Sequence, residues 1–265
     1  MHPIERLRWI ARADGEPAAT IASEAAWTLG ELGSEEPAAV LTASRRLVQR
    51  HPGCGPLWWV CAHLIASDDA LETAHRISAE LYSDTVPDRV SDALRVDFTS
   101  SDVLCATSPT DLFRQALSRR GTYVVRLVGT YRTLRHELQA LGAVTEDATG
   151  FEVEEAREAL EGAAALLVEP CFAGGPGLFV EPAVASVVEQ AVRAKVPVWV
   201  LLGTGRVLTS QLAEAAASLC GEALELVTPD MVRQAVDATG AGDLRTALAR
   251  STCPPGADLV HRFEH

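Results

Sequence analysis

The chain has 265 residues, of which 48% are hydrophobic and 22% charged, and a formal net charge of -13. That length supplies one large domain or two smaller ones with ample core, and that charge excludes a general nucleic-acid or anionic-membrane surface, leaving room only for a local basic pocket. No run approaches the roughly 20 apolar residues of a membrane span. Six cysteines, at 54, 61, 105, 171, 220 and 253, form neither a CxxC pair nor a zinc-like spacing with histidine. A cytoplasmic protein with reduced thiols, no metal and no cofactor is expected.

From residue 4 to about 95 the apolar residues recur at three- and four-residue intervals. Helices are predicted over 21–32, 37–49, 57–65 and 71–81, broken at Gly33-Ser34, His51-Pro52-Gly53 and Ser67-Asp68-Asp69. Trp58 and Trp59, beside Pro56, are read as packing this bundle against the sheet half of the chain. At Asp102 the period changes. Short apolar or β-branched runs at 102–106, 122–129, 142–146, 164–170, 197–203 and 223–227 alternate with helical segments, which predicts a doubly wound, mainly parallel, Rossmann-like α/β sheet. A final helix is predicted over 229–239, from a Thr228-Pro229 cap to Gly240. The expected organisation is a helical domain over 1–98, a sheet domain over 99–240, and a tail over 241–265 left to a partner surface or to solvent.

Two glycine loops come after buried strands: Gly174, Gly175 and Gly177 before a helix over 180–194, and Gly203-Thr204-Gly205-Arg206 after the strand near 200. Loops at the carboxyl ends of parallel strands are where such sheets bind ligands. The second loop lacks the Lys of a P-loop and the third glycine of a dinucleotide fingerprint, so it is either a backbone nest for phosphate or a plain turn. Arg132, after the second strand, reads as a bidentate phosphate ligand or as a solvated arginine. Cys171 reads as a reactive thiol or a small buried residue, and His51 as an anion contact or a turn residue.

Placed in this order, the segments resemble the family of methylthioribose-1-phosphate isomerase, ribose-1,5-bisphosphate isomerase and the alpha, beta and delta subunits of translation initiation factor 2B. The segment Arg50-His51-Pro52 to Pro56-Leu57, containing Cys54, resembles the family's Arg-Pro-Thr to Ser-Leu stretch. Val103 to Thr107 resembles the strand ending Thr-His-Cys or Thr-His-Ser; Thr130-Tyr131-Arg132 resembles Glu-Ser/Thr-Arg. The run 167–177 resembles the Gly-Ala-Asp loop followed by Asn-Gly. Lys195-Val196-Pro197 and Leu226-Val227-Thr228-Pro229 resemble the family's Gly-Val-Pro and Asp-Val-Thr-Pro.

The resemblance implies a sugar phosphate or nucleotide held by His51, Cys54, Arg132, Gly174, Gly175, Gly177, Gly203, Thr204 and Arg206, and homodimers that pair through the sheet domain, for which the apolar helix over 180–194 offers a surface. It also places Thr107 and Cys171 where the isomerases carry their catalytic Cys and Asp. A threonine hydroxyl does not titrate near neutrality, and a thiol does so only when its pKa is lowered. Pro176, Glu181-Pro182 and Val184-Ala185 replace further ligand-loop residues, and Glu181 would repel an anion. The expectation is a non-catalytic regulatory binder; the alternative is an isomerase of altered chemistry that uses Cys171 with Thr107, Asp102 or Glu169.

Overall fold

A computed structural model of the chain describes residues 2–13, 15–119, 123–145 and 147–260. The helical half begins with α1 (Pro3–Ile10), α2 (Ala18–Glu35), α3 (Pro37–Arg50), α4 (Gly55–Ile65) and α5 (Ala70–Tyr82). The break expected at Gly33-Ser34 lies inside α2, because Gly33 and Gly30 serve a different purpose. A Cβ on Gly30 would sit 2.4 Å from the Ala74 Cβ, and one on Gly33 2.4 Å from the Ala70 Cβ, so the two glycines let α2 cross α5 at backbone contact distance. Trp58 and Trp59 are buried on α4 as expected, with the Trp58 indole donating to the Pro52 carbonyl at 2.9 Å. Trp59 and Pro56 abut Gly205 of the sheet half.

The sheet half starts with α6 (Val86–Asp97), then β1 (Val103–Thr107), α7 (Asp111–Arg119), β2 (Val124–Gly129), α8 (Tyr131–Leu141), β3 (Ala148–Glu152), α9 (Ala156–Leu160) and β4 (Ala165–Val168). It continues with β5 (Phe172–Gly174), β6 (Gly177–Val180), α10 (Pro182–Ala194), β7 (Val198–Leu201), α11 (Ser210–Cys220), β8 (Glu225–Val227), β9 (Gln234–Asp237), β10 (Gly240–Gly242), α12 (Leu244–Ala249) and α13 (Ala257–Val260). The main sheet runs β10-β9-β7-β4-β1-β2-β3 and is parallel except for the β10/β9 pair. Alternate residues feed two layers. Leu104, Ala106, Val125 and Trp199 join α6 and α7 on one side, while Cys105, Leu166, Val198 and Val200 join α9, α10 and α12 on the other.

Four expectations change. Residues 142–145 form a turn, with the Thr145 hydroxyl donating to the Tyr123 carbonyl, and the strand is β3; Glu146 lies outside the described residues. The run near 225 joins a small antiparallel sheet, β5-β6-β8, not the main one. The helix expected over 229–239 is a short turn at Pro229–Met231 followed by β9, because Ala235 and Val236 are buried in the main sheet between β7 and β10. The tail is built into the fold: β10 extends the sheet, and Leu259 of α13 is fully buried with α3, α4 and α11, while 261–265 lie outside the described residues.

Helix α10 matches its prediction, but its apolar face is spent on the core. Val184, Ala185, Val187, Val188 and Ala191 are buried under the sheet, and Val192 is its one large exposed apolar residue. The surface expected there for dimerisation is therefore already covered.

Candidate functional site

Chain order places β1 next to both β2 and β4, so the winding direction reverses between β1 and β4. In such sheets a crevice opens at the carboxyl ends of the two strands where the order reverses. Thr107 closes β1 and Glu169-Pro170-Cys171 comes directly after β4, and a cavity of about 500 Å³ lies there. Thr107, Cys171 and Arg206 all line it, together with Thr130, Thr133, His136 and Glu137 from the start of α8, and Gly53 from the turn before α4. Residues 15–18, leading into the first residue of α2, form a further wall.

Arg206 is the cation of this cavity, with a side chain only 9% exposed. One guanidinium nitrogen donates to the Pro170 carbonyl, and the other lies 3.7 Å from Glu169 Oε2. Glu169 is buried and turned into the start of α7, where its Oε1 accepts the Leu112 and Phe113 amides at 2.8 and 3.0 Å. Burial pushes this carboxyl up to about 8, against the pull of Arg206 and the two amides.

Cys171 is held by its backbone. Its amide donates to the Phe179 carbonyl at 3.0 Å, and its carbonyl accepts the Gly55 amide of α4 at 3.2 Å. Burial pushes its thiol up to about 11, with Arg206 opposing and Glu181 reinforcing the rise. The Thr107 hydroxyl is buried and has no hydrogen-bond partner among the described residues. The rise at Cys171 disfavours the thiolate, and a threonine hydroxyl does not titrate near neutrality.

No family model matches the sequence, and no curated protein matches it. Solved structures do match the fold. The translation initiation factor eIF-2B of Pyrococcus horikoshii OT3 superposes with a TM-score of 0.72 at 12% identity, over 93% of this chain and 98% of that one. For eIF2B beta from Chaetomium thermophilum the TM-score is 0.70 at 15% identity, over 97% and 91% of the two chains. A chain of the tetrameric eIF2B-beta2-delta2 complex from C. thermophilum gives 0.69 at 15%, over 93% of each. The chain has the eIF2B fold.

In this eIF2B-like frame the expected site residues divide. Thr107, Cys171 and Arg206 meet in the cavity. Arg132 is exposed in the first turn of α8, one position off the face that carries Thr133 and His136, and does not line it. His51 bonds the Ile10 carbonyl through Nε2 at 2.8 Å, tying α1 to the turn, and the buried Cys54 thiol faces the Ala18 carbonyl at 3.6 Å, pushed up to about 11 by burial.

The glycine loop at 174–177 is the β5/β6 hairpin. A Cβ on Gly174 would meet Ala213, one on Gly175 would meet Ser210, and Gly177 has a φ of 149° against the Val227 carbonyl. These glycines serve packing on α11 and β8. Gly203, Thr204 and Gly205 line a different cavity, of about 360 Å³, and the expected phosphate nest already holds a carboxylate: Asp84 Oδ2 accepts the Thr204 amide at 2.9 Å while Oδ1 accepts the Val86 amide that opens α6.

Sequence reasoning missed Thr130, Thr133, His136 and Glu137. Their spacing of three and four residues after a strand marks one helix face and is legible in retrospect. The wall at 15–18 had no such signal, because only the tertiary fold brings it to β1.

Proposed function

We propose that this eIF2B-like chain is a non-catalytic binding protein that holds a small phosphorylated metabolite, a sugar phosphate or nucleotide, in a regulatory role, working in the cytoplasm as a homodimer. The observation that carries this reading is the presence in one cavity of Arg206 with Thr107 and a Cys171 whose thiol burial pushes up to about 11. Aldose-ketose isomerisation needs an acid and a base at adjacent carbons. The partners considered for Cys171 in an enzyme are turned elsewhere: Asp102 precedes β1, at the opposite end of the sheet, capping the Thr99 amide, and Glu169 faces α7. Arg206, held at the cavity wall by the Pro170 carbonyl and 3.7 Å from Glu169, is suited to a phosphate oxygen.

Calorimetric titration at pH 7 with ribose 5-phosphate and AMP tests binding, alongside assays for turnover of ribose 1,5-bisphosphate and methylthioribose 1-phosphate. Binding without turnover is expected, with Arg206→Lys weakening it about tenfold or more through loss of the planar fork. Turnover that Cys171→Ser abolishes would overturn the non-catalytic reading.

A further inference from the structure

A groove of about 220 Å³ on the helical half shares no lining residue with the Arg206 cavity. Its walls are two helix faces, Ile4 and Arg8 on α1, and Ala39, Ala43 and Arg46 on α3, at the spacing that sets residues on one side of a helix. Leu7, Leu32 and Leu47 form a buried floor, and Ile4 stands 42% exposed at the rim. Ala39 and Ala43 are half-buried, and their single methyl groups leave the room between the helices for a side chain from outside. The space suits one or two aliphatic side chains and is smaller than the roughly 300 to 1,000 Å³ of a small-molecule site.

Two observations say what covers it. Arg8 and Arg46 are the only charged residues that line the groove, both are exposed, and neither makes a hydrogen bond or ion pair among the described residues. In a chain of net charge -13 this is a rim of the opposite sign, and it is complementary to carboxylates. The walls themselves are helices, whose backbone groups are bonded along the helix axis and offer an extended chain no row of partners. An occupant therefore satisfies its own backbone, as a helix does.

We propose that the α1/α3 groove docks an acidic amphipathic helix of a partner protein. Aliphatic side chains spaced three and four residues apart on that helix enter between Ile4, Ala39 and Ala43, and flanking carboxylates accept charge-assisted hydrogen bonds from Arg8 and Arg46. The surface is independent of the ligand proposed at Arg206.

Fluorescence anisotropy with three labelled peptides of about 18 residues, long enough to form a helix in water, tests it. The first carries a leucine stripe at helical spacing flanked by glutamates, the second has lysine for each glutamate, and the third is the first scrambled so that the stripe is lost. The full chain and an Arg8→Glu/Arg46→Glu double variant are titrated at low salt to about 100 µM. Both arginines are exposed and unpaired among the described residues, so the variant retains the fold, which circular dichroism checks. The acidic helix is expected to bind the native chain about tenfold or more tighter than either control, and the double variant to lose that margin and prefer the lysine peptide. Absence of binding by the acidic helix, a scrambled peptide that binds as well, or a margin that survives charge reversal overturns the proposal. Sedimentation of both proteins without peptide covers the other occupant, and equal masses are expected. A native dimer that the double variant dissociates places a second copy in the groove and overturns the partner helix.

Discussion

At the scale of single residues the buried pair behind the cavity governs the most. Desolvation of Glu169 outweighs Arg206 and the two α7 amides and lifts its pKa from 4.5 to about 8 on folding. The folded chain then binds more protons than the unfolded one between those values. The contribution of this group is full below about pH 4.5 and is lost as pH rises through 8. Glu169→Gln removes it. Urea unfolding at pH 5, 6, 7 and 8 is expected to show a clearly steeper decline for the native chain than for the variant. His63, whose pKa burial lowers, contributes a slope of opposite sign below its ordinary pKa, but it is common to both proteins and cancels in the difference. Equal slopes would show that Glu169 is ionised at neutral pH and that Arg206 is already neutralised.

At the scale of elements, periodicity located helices far better than it located their ends. The apolar spacing of α2 was legible, yet Gly33-Ser34 resembled a stop; its role appears only when α5 is laid across it. Gly30→Ala measures that crossing. Alanine improves intrinsic helix propensity by about 1 kcal/mol, while a Cβ placed 2.4 Å from the Ala74 Cβ forces two helix backbones apart at about 1 to 3 kcal/mol. Net destabilisation, read as a lower urea midpoint, is expected; a stabilised variant would mean that α2 and α5 separate freely. The stretch at 229–239 illustrates the converse. Met231, Val232, Ala235 and Val236 satisfy a helical spacing, but the main sheet between β7 and β10 offers backbone partners along with burial, and the strand wins.

At the scale of the molecule, the two halves share a core. Phe172 and Phe179 of the hairpin, Leu208, Leu212 of α11 and Leu259 of α13 are buried with α1 to α5, so the carboxyl-terminal residues complete the helical half. Among the described residues no helix is long and apolar enough to cross a membrane. The proposed homodimer cannot rest on the apolar stripe of α10, which the sheet already covers. Sedimentation equilibrium at micromolar concentration is expected to give twice the 28.3 kDa chain mass, with α10 surface substitutions such as Val192→Ser without effect. A monomer would remove the dimer, and dissociation by Val192→Ser would return α10 to the interface.

The sequence by itself determined the alternation of helix and strand and four of the main strands nearly to the residue, because these depend on local pattern, whereas Thr107 and Cys171 were paired only by the family resemblance. Only the tertiary structure decided what fills each loop. Whether Gly203-Thr204-Gly205 offers its amides to a ligand depends on Asp84, some 120 positions away in the chain. Whether Arg132 reaches the crevice depends on which face of α8 is turned to β1, and the wall at 15–18 depends on the fold bringing the start of α2 to β1. Burial, long-range hydrogen bonds and the electrostatics they create are properties of packing, and a linear pattern does not carry them.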